Sequence, residues 1–88
     1  MYYILTYDIA SAKRLPKALK ICRRYLNWVQ NSVFEGELTT MQMDRLKKEL
    51  KNIMDKKEDS LIVYEARNRD VIYREVIGVD KNELTIFI

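Results

Sequence analysis

With 88 residues, 48% of them hydrophobic and 33% charged, the chain is one small globular domain, near the lower size limit for a self-sufficient core. Its single cysteine excludes an internal disulfide, and the lack of histidine excludes His-ligated zinc and any Ser-His or Cys-His nucleophile pair. A bound metal would have to be a hard, oxygen-ligated cation. No apolar run is long enough to cross a bilayer. The opening MYYILTYDIASAKR lacks the basic region of a secretory signal, so the expectation is a mature, cytoplasmic protein.

The first element is the apolar run Tyr2–Ile9, which carries a carboxylate, Asp8, near its end. Read as a strand, it turns Tyr3, Leu5, Tyr7 and Ile9 one way and Tyr2, Ile4, Thr6 and Asp8 the other. Both faces begin apolar, which marks a central strand needing cover on both sides. In so short a chain the helices shield only one face, and the other expects a second copy. The face of Tyr3, Leu5 and Tyr7 is the more apolar and suits the helix layer, which aims Asp8 at the open face.

Ala10-Ser11-Ala12 links this strand to a helix, with Ser11 as its N-cap and Pro16 in its first turn, where a missing N–H costs little. Leu15, Ala18, Leu19, Cys22, Tyr25 and Leu26 form the buried stripe, and the helix is expected to end at Asn27. Cys22 lies on the stripe and reads as core. Between Ser11 and Phe34 stand six cations, Lys13, Arg14, Lys17, Lys20, Arg23 and Arg24, and no carboxylate, although the whole chain carries only +3. That asymmetry suits a polyanionic partner; a solvated basic helix face is the equal alternative.

Trp28-Val29-Gln30, the turn Asn31-Ser32, and Val33–Leu38 read as a hairpin, in which Gly36 marks a bulge or a close backbone approach. Thr39 and Gln42 form a capping box for a second helix, whose stripe is Met43, Leu46, Leu50, Ile53 and Met54. Ser60–Ala66 is a further strand, apolar on both faces. A polar loop from Arg67 passes through one helical turn into a short strand, Arg74–Gly78, and the last strand is Leu84–Ile88. The order β-α-β-β-α-β is that of an α+β, ferredoxin-like two-layer sandwich with both helices on one face of an antiparallel sheet. Residues 1–78 make the domain, and residues 79–88 form an extension expected to pair with the partner subunit of a homodimer, because a free apolar edge invites aggregation.

On two-fold symmetry the two Asp8 carboxylates would meet at the open face. Like charges that close require a compensating cation or the protonation of one, and Mg²⁺ would satisfy them while suiting phosphodiester hydrolysis. The alternative is that Asp8 caps the following helix or accepts loop amides. Ser32 reads as turn chemistry, since nothing beside it supplies a base. Phe34 reads as core or interface ahead of base stacking, and Glu35 and Glu37 as surface ahead of further ligands.

Tyr7-Asp8-Ile9, Lys13-Arg14, the hairpin from Val29 to Leu38 and the late Arg74-Glu75-Val76-Ile77-Gly78, in this order and spacing, resemble the CRISPR-associated protein 2 family. The resemblance spans essentially the whole chain and implies a ferredoxin-like homodimer with facing sheets. It implies a metal-dependent endonuclease of spacer acquisition and antiviral defence, cutting RNA or DNA. Asp8 would be the catalytic and metal-binding position for Mg²⁺ or Mn²⁺, with Tyr7, Arg14, Ser32 and Phe34 in supporting places. The family's other role is a non-catalytic scaffold bridging dimers of the integrase subunit, CRISPR-associated protein 1. Leu15-Pro16 departs from the polar or basic continuation of many relatives.

Overall fold

A computed structural model describes residues 1–82 and forms one four-stranded antiparallel sheet with two helices. The elements are β1 (Tyr2–Asp8), α1 (Leu15–Arg23), β2 (Asn27–Gln30), β3 (Val33–Glu37), α2 (Thr40–Ile53) and β4 (Ser60–Ala66), followed by a 3-10 turn at Arg69–Val71. The strand order β2-β3-β1-β4 places β1 between β3 and β4, as its two apolar faces require. Each helical crossover therefore skips one strand, which is the ferredoxin-like arrangement.

Alternation along β1 sorts its side chains as expected. Tyr3, Leu5, Tyr7 and the following Ile9 are buried with Phe34 and Leu38, the α1 residues Ala18 and Cys22, Leu26 just beyond it, and Met43, Leu46 and Leu50 of α2. Full burial of a Leu or Phe contributes about 1.5–3 kcal/mol. Leu61 and Val63 of β4 border this core. On the other face Ile62 and Tyr64 remain exposed.

Local signals explain most boundaries. Thr39 and Gln42 form the capping box at the start of α2, with hydrogen bonds of 2.9 and 3.1 Å. Gly36 is a close approach: an added Cβ would lie 3.2 Å from Leu26 Cδ2. The bulge falls instead on β2, where the register steps from Trp28–Phe34 to Gln30–Val33.

Three expectations are corrected. Ser11 does not cap α1. Its carbonyl accepts from the N–H groups of Arg14 and Leu15 and its Oγ from that of Lys13, building a turn ahead of a helix that begins at Leu15 with no side-chain cap. The helix ends at Arg23, and Asn27 opens β2, because Gly36 lets the chain at Leu26 and Asn27 turn tightly against β3. Arg74–Gly78 has no ladder among the described residues. The chain instead folds back after β4, Arg74 pairs with Glu35 of β3, and Gly78 takes a positive φ of 96°. Leu84–Ile88 and the pairing proposed for them lie outside the described residues.

Candidate functional site

Asp8 ends β1 on the face away from the helices. Its register partner is Ser60, and the neighbouring pairs Thr6–Ile62 and Ile4–Tyr64 continue the same face. The carboxylate is exposed and makes no hydrogen bond or ion pair with any described residue. It neither caps α1 nor accepts loop amides. The face leading to it is apolar and half open, with Ile62 49% and Tyr64 58% exposed. The far end, around Tyr2, is covered by the returning chain, where Tyr2, Glu35, Arg69, Asp70, Ile72 and Arg74 line a cleft of about 320 Å³.

The other expected site residues lie apart from Asp8. Tyr7 and Phe34 project to the helix side, their rings stacked at a centroid distance of 6.0 Å with Phe34 fully buried. Burial, and then the neighbouring Cys22, raises the Tyr7 phenol above its ordinary range. Both rings support the floor beneath Asp8 without reaching its face. Ser32 sits at the same end of the sheet, in the β2–β3 turn, and its carbonyl accepts from the Tyr7 N–H at 3.2 Å. Its neighbour Asn31 adopts φ 44°, which a short amide side chain tolerates. With Tyr7, Leu15, Pro16 and Leu19, these two turn residues border a mainly apolar groove of about 410 Å³ beside α1.

Of the six cations, Arg14 and Arg24 are engaged within the chain. Arg24 pairs with Glu49 of α2 at 2.6 Å, and the Tyr25 hydroxyl donates to the same carboxylate, tying the end of α1 to α2. The Tyr25 hydrogen bond, followed by Arg24, holds the Glu49 carboxyl below its ordinary range. Arg14 binds Asp59 through Nε at 2.8 Å and Nη2 at 3.0 Å, and reaches Glu58 at 3.3 Å. Lys13, Lys17, Lys20 and Arg23 are exposed and have no carboxylate partner among the described residues.

Asp59 is the residue that sequence reasoning missed. Its side chain is fully buried and also accepts from the backbone N–H groups of Ala10 and Asp55, each at 2.9 Å. The Arg14 guanidinium first, and then these amides, hold its carboxyl well below the usual carboxylate range. Its contacts with Arg14 and Ala10 span 45 and 49 residues of sequence, so no local pattern could announce it.

No three metal-ligating side chains cluster among the described residues. Among the described residues Asp8 stands without a second carboxylate beside it, which fits Mg²⁺ as a shared ligand completed by a second copy, water or phosphate. No helix among the described residues is long and apolar enough to cross a membrane.

The family model for CRISPR associated protein Cas2 matches residues 1–72. The chain belongs to the Cas2 family. Its relatives include the CRISPR-associated endoribonuclease Cas2 of Thermotoga maritima, 47% identical over 83 residues, or 94% of each chain. The protein of that name from Pyrococcus furiosus is 44% identical over 84 residues, covering 96% of this chain and 95% of the relative. A crystal structure of Cas2 superposes with a TM-score of 0.84 at 38% identity, covering 92% of this chain and 90% of that one. The helix-backed sheet described above is therefore the Cas2 fold.

Proposed function

We propose that the chain acts in CRISPR spacer acquisition and antiviral defence as a metal-dependent endonuclease, with RNA as its first substrate. Membership in Cas2 and the endoribonuclease names of its relatives support this reading. The observation that carries it is an exposed Asp8, without a partner among the described residues, at the end of an exposed apolar sheet face.

A homodimer joined through those faces would cover Ile62 and Tyr64 and bring the two Asp8 carboxylates together. There they would hold Mg²⁺, or Mn²⁺ in its place, with water and substrate phosphate as remaining ligands. The bound metal would supply phosphoryl polarisation and an acidified water. The chain's own residues do the rest. Lys13, Lys17, Lys20 and Arg23 attract and align the phosphate backbone without reading sequence. Tyr7 and Phe34 stiffen the strands that carry Asp8, and Ser32 shapes the adjoining turn. The reading places the protein in the cytoplasm, with the CRISPR integrase subunit, Cas1, as a further partner.

A second reading is favoured by the sparse carboxylate set beside ample basic surface: a scaffold that binds DNA between integrase dimers without hydrolysis. Cleavage of labelled single-stranded RNA and duplex DNA, with Mg²⁺, Mn²⁺ or EDTA, separates the two. Metal-dependent cutting by wild type that disappears in Asp8→Asn, with the fold retained, is the expected result. Nucleic-acid binding with no cutting by wild type would leave the scaffold.

A further inference from the structure

Asp59 accepts four hydrogen bonds, from Ala10 N, Asp55 N, Arg14 Nε and Arg14 Nη2, which uses the whole accepting capacity of a carboxylate. Ala10 lies two residues beyond Asp8, and Ser60, next to Asp59 in sequence, is the register partner of Asp8. One buried side chain thus ties together the two backbone segments that flank Asp8. The Arg14 fork sets the orientation of the Asp59 carboxylate as well as its charge balance, since a bidentate guanidinium fixes a plane. The same guanidinium also reaches Glu58 through Nη2, so the Nε and Nη2 donors are engaged by carboxylates of this chain.

We propose that Arg14 and Asp59 are a positioning pair that fixes the exit of β1, and with it the Asp8 carboxylate, and that Arg14 is not a phosphate ligand. The inference deepens the metal-dependent reading of Asp8 and rests on it. The pair touches neither substrate nor metal. It acts through the backbone at Ala10 and Ser60, and a shift near 1 Å at a reacting group is enough to cost about 100-fold in rate.

The test compares Arg14→Gln, Asp59→Asn, their double variant and Arg14→Lys with wild type. It measures the Mn²⁺ concentration giving half-maximal cleavage of labelled RNA, the RNA KM, and the salt dependence of RNA binding. Each single variant is expected to raise the Mn²⁺ requirement about tenfold, the usual scale for losing a supporting contact behind a metal ligand. The double variant should be no worse than either single one, with KM and salt slope unchanged. Arg14→Lys, which keeps the charge but loses the fork, should fail in the same way. It also carries the test if Asp59→Asn does not fold. A salt slope flattened by about one in Arg14→Gln but not in Asp59→Asn would identify a phosphate contact and overturn the proposal. If wild type cuts nothing, the nuclease reading fails alone, and the pair is read by Mn²⁺ binding without RNA through water proton relaxation. The same tenfold weakening supports it, while unchanged binding, or a wild type that binds no Mn²⁺, overturns it.

Discussion

The two faces of the sheet are built from the same strands and closed in different ways. The helix face is sealed by the chain itself, with Leu5, Phe34, Leu46 and Leu50 at zero exposure. Among the described residues, the opposite face is covered near Tyr2 and exposed from Ile62 to Asp8. Pleating makes this division possible, because neighbouring residues of β1 contribute to separate surfaces. Stability is concentrated on one surface, and the proposed function leaves association and chemistry to the other.

The largest effect that would break this contrast is energetic. Phe34→Ala should cost about 3–5 kcal/mol in urea unfolding, as expected for a buried aromatic ring. Tyr64→Ala, measured at dilution, should stay within about 0.5 kcal/mol of wild type yet weaken self-association in sedimentation. Equal losses at the two positions would mean that the faces are not separate.

A smaller effect is expected in acid. The folded-state pKa of Asp59 is depressed by Arg14 and by the Asp55 and Ala10 amides. It therefore adds stability that is fully present above the unfolded-state value of about 3.9 and is lost as pH falls through the folded-state value. Asp59→Asn should be less stable than wild type at neutral pH and show a shallower acid limb below about pH 4. Parallel acid limbs would show that the carboxylate gains nothing from its partners. The smallest effect concerns local opening beneath the helices. Burial pushes the Cys22 thiol up to about 12. At pH 8 a thiol reagent should consequently label native protein far more slowly than urea-unfolded protein; equal rates would show α1 lifting from the sheet.

Much of this division was readable in the sequence. Alternation in Tyr2–Ile9 assigned each residue to its face and aimed Asp8 correctly, since period two leaves little freedom once one face is buried. The capping box at Thr39 and Gln42 was equally legible, being local. The basic segment was only half legible. Six cations in a row of otherwise uncharged positions look free, yet Glu49 and Asp59 engage two of them from distant parts of the chain. The start of α1 misled for a related reason: Ser11 has the chemistry of a cap, but its backbone and hydroxyl were taken by the turn that delivers Arg14 to Asp59. Arg74–Gly78 has strand-forming residues but no ladder among the described residues, and propensity alone builds none.

The register between β1 and β4 also bears on the order in which the protein comes into being. Asp8 is made early, but its ladder neighbour Ser60 and the clasp at Asp59 follow some fifty residues later, with contacts spanning 45 to 49 positions. Loop closure over that distance is entropically slow relative to forming the helices or the β2–β3 hairpin. A nascent chain can thus carry its basic helix before its carboxylate is set. Under the proposed function, affinity for a polyanion would precede any capacity to act on it, and the docking of β4 would be the last step that arms the site.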